Sequence, residues 1–261
     1  EPKSTQVSGI GLLAVFKTGK ETKVGFGSSS NTITQQGITE AFDKAKRNKL
    51  YDPDFYSLPE PVGKSVLENY HDPAVMEIRD EAIVDLGWRG LKGAITEYNQ
   101  KQFNKSIIIG GDITIRKERM AIASTKGMND WDESTVLTAS ITSMIEMEKV
   151  KGTGWNTSTH ISCFSPEEAG RESAESAIRT RGGDRISSGT YDVIFGKQPV
   201  TDLFANIVIP ALSLSSINTS DTPFLGKLEQ KISSELLTVY DDGAIKGDID
   251  SKKNLLRGNS Y

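Results

Sequence analysis

The chain of 261 residues has one cysteine, two histidines and no surplus of basic residues. A single cysteine, Cys163, excludes an intrachain disulfide and fits a reducing compartment, so a cytoplasmic location is expected. Two histidines, His71 and His160, fall short of the four N/S ligands that a structural zinc normally takes. No apolar run approaches the length of about eighteen residues that a membrane span requires, so no membrane partner is expected. Lys and Arg number 31 against 35 Asp and Glu, giving a net charge of −4 and a pI near 5.4. That balance argues against a phosphate-neutralising surface and hence against nucleic acid as a partner. Apolar residues make up 36 % and charged ones 25 %, which is lean for a globular domain but outside the range of disorder. The chain opens at Glu1-Pro2 without a methionine and reads as a fragment, leaving an upstream targeting peptide open.

What is present reads as alternating strands and helices. Gly9 to Phe16 and Thr22 to Phe26, joined by Lys17-Thr-Gly-Lys20, predict a β-hairpin. Ile38, Ala41, Phe42 and Ala45 at helical spacing predict a helix over about Thr34 to Asn48. Tyr51 to Pro61, with three prolines, reads as an extended connector. Asp72-Pro73 starts a long helix carried by Val75, Ile78, Ala82, Leu86, Leu91, Ala94, Ile95 and Tyr98 to about Gln100. Gly87, Gly90 and Gly93 lie inside it; each costs about 1 kcal/mol relative to Ala, and close packing against a sheet is the expected compensation. Ile107 to Ile109, Ile113 to Ile115, Met120 to Ala123 and Thr135 to Met147 predict antiparallel strands, with turns at Gly110-Gly111, Arg116-Lys117 and Gly127 to Glu133. Ser165-Pro-Glu-Glu168 predicts a capping box opening a helix to about Arg181. Gly182-Gly183 follows and marks the expected boundary. The fold class is therefore α+β: an N-terminal domain over 1–183 with antiparallel strands and long helices, then 184–261 as the start of a β-rich C-terminal domain.

Most local patterns that could carry chemistry fall short. Gly63-Lys64-Ser65 ends like a phosphate loop, but the required earlier glycine is Leu58. Gly25-Phe-Gly27 lacks the third glycine of a dinucleotide fingerprint. No serine sits in a Gly-x-Ser-x-Gly elbow. His160 and Cys163 would lie on opposite faces of a strand, and Cys163 reads as a small buried thiol. His71 reads as exposed or helping to cap. Asp130, Asp132 and Glu133 could bind a hard cation, yet they read as a solvated turn, as do Asp241-Asp242.

The stretch from Gly189 to Gly243 is the richest. Gly189-Thr-Tyr-Asp-Val-Ile-Phe195 predicts a strand. After Gly196, Pro199 and then Val200, Leu203, Phe204, Ile207, Val208, Ala211 and Leu212 predict an amphipathic helix packed on a sheet. Phe224-Leu-Gly-Lys-Leu follows, and Leu237-Thr-Val-Tyr with Asp241-Asp-Gly243 predicts a second strand ending in a turn. This order, with the opening Gly9-Ile-Gly11 and Gly25-Phe-Gly27-Ser-Ser-Ser and with Ala123-Ser-Thr-Lys-Gly127, resembles the TldD/PmbA family, once called modulators of DNA gyrase.

The resemblance implies a site as well as a fold. The catalytic branch carries a zinc-protease His-Glu-x-x-x-His motif in this helix. Anchored on Val193-Ile-Phe-Gly196 and Phe224-Leu-Gly226, the first metal His falls on Ala205, the catalytic Glu on Asn206 and the second His on Pro210. None can ligate a catalytic zinc or act as a carboxylate base, and Pro210 would bend the helix near Asn206. The chain is thus similar to the PmbA/TldE branch, which lacks the metal motif. The resemblance implies no cofactor in this chain, zinc in a TldD-like catalytic partner, and unfolded or leader peptides as substrates. A homodimeric scaffold or peptide-binding protein without peptidase role is the alternative, and a standalone hydrolase a third reading. The family continues in a long β-rich half, and Leu256-Arg-Gly-Asn-Ser-Tyr261 resembles a phrase well downstream, so a segment is expected to be missing between about Gly247 and Lys253.

Overall fold

The structure, a computed structural model, describes residues 3–19, 21–31, 33–53, 55–61, 69–101 and 105–240. The candidate phosphate loop Gly63–Ser65, the turn Asp241–Gly243 and the stretch 247–261 lie outside the described residues. The chain forms two compact units, one of residues 1–62 with 122–130 and the other of 63–121 with 131–261. Both combine helices with antiparallel strands, so the α+β class holds.

In the first unit, β1 (Gly9–Thr18) and β2 (Glu21–Ser30) form the expected hairpin, with β3 (Leu50–Tyr51) on the other side of β2. The register is one-to-one from Gly9↔Ser30 to Thr18↔Glu21. Helix α1 (Gln35–Arg47) starts where the sequence places it: Thr34 caps the N–H of Gly37, and Asn48 closes the other end. It packs closely on β2 where small residues face one another. A Cβ on Gly25 or Gly27 would meet the backbone oxygen of Ala45 or Ala41 at 2.0 and 1.9 Å, so the glycines let helix and strand backbones touch.

In the second unit the long helix expected from Asp72 is broken. Helix α2 (Pro73–Met76) is capped by Asp72, whose side chain accepts from the N–H of Ala74, and α3 (Asp80–Gln100) begins after Arg79. The break lets Val75, fully buried, and Ile78 both enter the core, and Lys117 Nζ bonds the freed carbonyl of Met76 at 2.8 Å. The strands also differ from expectation. Instead of several short segments there are two of 17 residues, β4 (Ile107–Ala123) and β5 (Asn129–Ile145); their connecting turn, in which Ser124 N–H bonds Met128 O, falls in the segment 122–130 counted with the first unit. Gly110-Gly111 is not a turn: a Cβ on Gly111 would lie 2.1 Å from Ser140 O, so the glycine serves close strand approach. Asp130, Asp132 and Glu133 consequently lie in β5 and not in a turn. A strand not read from sequence, β6 (Val150–Ser158), pairs antiparallel with β5.

Helix α4 (Pro166–Arg179) begins after Ser165 as expected, but the capping box does not form. Ser165 gives its N–H to Asn156 Oδ1 at 3.0 Å and Glu168 turns to Arg171. Helix α4 lies on Gly152 and Gly154 of β6 and against α3, where Gly90, Gly93 and Gly170 bring the two helices together. The compensation for the helical glycines is therefore largely helix against helix. Leu86, Leu137, Ala139, Ile141, Phe164 and Ala169 fill the core with Ile109, Ile113 and Ile115. Each fully buried aliphatic side chain contributes about 1.5–3 kcal/mol. The buried hydroxyls of Ser143 and Ser173 meet at 2.8 Å, and Ser173 donates onward to Gly170 O at 2.7 Å; α4 is thereby pinned to β5.

Residues 182–240 hold no buried position. The strands expected at 189–195 and 237–240 are irregular there. A lone segment without a neighbouring strand has no ladder to complete its backbone hydrogen bonds, and no partner strand is present among the described residues.

Candidate functional site

The helix predicted after Gly196 is present, with a local departure in its middle. Helix α5 (Lys197–Leu203) passes into a π turn over Phe204–Val208 and then into α6 (Ile209–Ala211), and a short α7 (Leu214–Asn218) follows. Pro210 accounts for the widening. It has no N–H for the carbonyl of Asn206, and in an α-helix its ring would strike that carbonyl. The chain instead lengthens its bond, Ile209 N–H to Phe204 O. Asn206 takes the carbonyl left over by the wide turn: its Nδ2 donates to Asp202 O at 2.9 Å.

The wide turn changes which positions face one another. An i to i+4 bond stacks residues four apart, and an i to i+5 bond stacks residues five apart. Ala205 and Pro210 are five apart, the first inside this turn and the second just beyond it in α6, so the two come closer to one face here than they would in a regular α-helix. All three candidate positions, Ala205, Asn206 and Pro210, are exposed. They offer a methyl group, an amide already engaged and a pyrrolidine ring. These residues do not fit a zinc ion. The apolar stripe is not packed on a sheet as expected: Val200 and Leu203 are 38 % exposed and Ile207 61 %.

The remaining candidates are structural ties. Asp72 accepts from the N–H of Ala74 at 2.9 Å and of Ile161 at 2.8 Å, and its own N–H bonds Thr135 Oγ1 at 2.9 Å. Thr135 donates to Thr159 O, and Thr159 to Asn69 O. His160 Nδ1 lies 2.9 Å from Thr159 Oγ1; with that hydroxyl already donating, the proton of the pair sits on Nδ1. His160 precedes a 3₁₀ turn, Ile161–Cys163, of which Cys163 is the last residue, so the two are not on a strand, and the thiol is half-buried beside Ser162. His71 is half-buried, with Nε2 3.4 Å from Glu133 Oε2 and a buried Nδ1 without a partner. Glu133 also receives Arg119. Sequence reasoning saw Asp72 only as a cap; its second role rests on contacts about ninety residues away.

A cluster of one carboxylate and two cations lies near the end of α4. Glu148 accepts from Arg181 at 2.7 and 2.8 Å and from Lys105. Arg181 first and Lys105 second hold its pKa at about 2. Between α3 and α4, Arg89 and Glu167 form a two-pronged pair; hydrogen bonding raises the arginine's pKa, while for Glu167 burial opposes a lowering by Arg89. Among the described residues no three His, Cys, Asp or Glu side chains gather as a metal site, and no helix is long and apolar enough to cross a membrane.

Fold and helix together define an α+β protein whose candidate site is a widened helical turn with no zinc-ligating side chain at the three expected positions. Residues 188–253, which contain that turn, match the PmbA/TldA metallopeptidase C-terminal domain. The chain is 22 % identical over 248 residues to an uncharacterized protein of Methanocaldococcus jannaschii, covering 94 % of this chain and 54 % of the relative. In fold it is similar to a protein of Bacteroides thetaiotaomicron provisionally named as a modulator of DNA gyrase, with a TM-score of 0.64, 17 % identity, and 82 % and 51 % of the two chains covered. TldE from Thermococcus kodakarensis gives a TM-score of 0.58 at 14 % identity, with 85 % and 54 % covered. The resemblance to the TldD/PmbA family is thus supported by the domain match and by the shared fold. The chain spans about half the length of these relatives.

Proposed function

We propose that this chain is a PmbA/TldE-like subunit that does not itself perform the metal chemistry of a TldD/TldE-type peptidase. The observation that carries the reading is the chemistry of the three candidate positions in this helix. Ala205 and Pro210 supply no metal ligand, and Asn206, whose amide is engaged by Asp202 O, supplies no base. On this reading a TldD-like partner contributes the zinc, which would activate water for attack on a peptide bond. This chain would complete the chamber and position an unfolded or leader peptide.

The test is to mix the chain with a homologue bearing His-Glu-x-x-x-His and to measure zinc content and peptidase activity of each alone and together. Activity that needs both, with zinc only in the homologue, supports the reading. Stoichiometric zinc and peptide cleavage by this chain alone would overturn it. Self-assembly without any recovery of the homologue favours the scaffold alternative.

A further inference from the structure

Helix α3 carries two apolar faces, and one of them is open. Leu86, Gly90, Ala94 and Tyr98 are buried within the second unit. Val84, Trp88, Leu91 and Ile95 lie on another face, where Val84 is 45 %, Trp88 57 % and Ile95 44 % exposed and Leu91 is half-buried. Apolar residues scattered singly over a surface need no explanation, but a row along about three helical turns does. Its spacing of four, three and four residues is that of a coiled-coil seam, with Val84 and Leu91 at d positions and Trp88 and Ile95 at a positions.

The row reads the same from both ends, and so does its charged border. Its midpoint falls between Arg89 and Gly90, so a twofold axis there sets Val84 opposite Ile95 and Trp88 opposite Leu91 of a second helix. On the solvent border the two e positions carry opposite charges, Asp85 and Lys92, both exposed. In an antiparallel pair e faces e. At a rise of 1.5 Å per residue, Lys92 of one helix then comes within about 3 Å, along the axis, of Asp85 of the other. Glu81 comes level with Tyr98 and Asn99 and meets no like charge. A parallel pair would set g against e and bring Asp80 against Asp85, two carboxylates, so the charges select the antiparallel arrangement. Arg89 does not disturb the border, because its fork is held by Glu167.

We propose that α3 docks antiparallel on α3 of a second copy of this chain, through Val84, Trp88, Leu91 and Ile95, with an Asp85–Lys92 contact at each side of the axis. Such a contact is self-complementary and closed. A single helix pair buries less than the roughly 1,200 Å² of a stable interface, so the pairing is transient and is expected at concentrations on the order of 100 μM. The contact is independent of the functional reading above.

The experiment is analytical ultracentrifugation of the whole 261-residue chain over a concentration series reaching about 1 mM. The expected result is a reversible doubling of mass. Trp88→Ala, at an exposed position, keeps the circular dichroism and weakens the dimer by at least about tenfold. Asp85→Lys and Lys92→Asp each turn both border contacts repulsive and weaken it several-fold. Mixed in equal amounts, the two variants restore opposite charges at both contacts and associate more tightly than either alone, a recovery that damage to the fold could not produce. A monomer at every concentration overturns the proposal, as does a dimer that Trp88→Ala leaves intact or a mixture no tighter than its components. Failure of the chain to self-associate, with Trp88→Ala abolishing binding to a homologue bearing His-Glu-x-x-x-His, assigns the stripe to that partner and likewise overturns it.

Discussion

Three glycines on α3 offer a controlled test of how the second unit is held together. Gly87, Gly90 and Gly93 share one helix, and replacing any of them by Ala gains the same propensity, about 1 kcal/mol. Their surroundings differ in steps. A Cβ at 87 meets nothing within 4 Å, at 90 it meets the tip of Ile141 at 3.1 Å, and at 93 it meets the backbone oxygen of Glu167 at 2.3 Å. Gly87→Ala should therefore stabilise by about 1 kcal/mol. Gly90→Ala should be nearly neutral, because Ile141 Cδ1 must give by a few tenths of an ångström. Gly93→Ala must push α3 and α4 apart. Overpacking costs about 1–3 kcal/mol, and since the obstacle is backbone we take the upper end, for a net loss of about 2 kcal/mol. The spread between the first and third variants, about 3 kcal/mol, corresponds to roughly 6–12 °C in Tm. Urea denaturation followed by circular dichroism at 222 nm reads it directly. If Gly93→Ala proves as stable as Gly87→Ala, the helix–helix contact is not what the three glycines serve.

Other outcomes follow from the ties already described. Glu148 has a folded-state pKa lowered from 4.5 to about 2, so its contribution is full above about pH 4.5 and is lost as the pH falls towards 2; Glu148→Gln should remove that part of the acid-unfolding slope. Thr135→Val leaves the buried N–H of Asp72 and the carbonyl of Thr159 without their partner and should cost about 1–3 kcal/mol in urea unfolding. Pro210→Ala restores an N–H and removes the ring, so the turn should tighten to α; NMR should show the Asn206 side-chain amide released from Asp202 O, and persistence of the π turn would refute Pro210 as its cause.

The first unit was legible because its signals are local. Thr34 caps α1, the spacing of Ala41 and Ala45 marks its inner face, and the hairpin turn follows from Lys17-Thr-Gly-Lys20. β6 was hidden for a physical reason. Its buried positions are Gly152, Gly154 and Asn156, small because α4 rests on them, so the strand shows no apolar alternation. Gly110-Gly111 has the same ambiguity, since a glycine that allows close strand approach looks like one that makes a turn. At the candidate site the identities of Ala205, Asn206 and Pro210 were readable from the resemblance, and a bend near Asn206 was expected from Pro210. That the helix widens there instead of kinking depends on Ile209 reaching Phe204, which no spacing rule announces.

The node around Asp72 has a kinetic meaning. Its bonds join positions 89 and 90 apart in sequence, Asp72 with Ile161 and Asn69 with Thr159. Closing so long a loop costs entropy that is not repaid until the intervening strands and α3 are in place. Contacts closed that late are expected, when removed, to speed unfolding more than they slow folding. On that expectation the node acts as a latch on the finished unit, and Thr135→Val should raise the unfolding rate in stopped-flow urea jumps while leaving the refolding rate nearly unchanged.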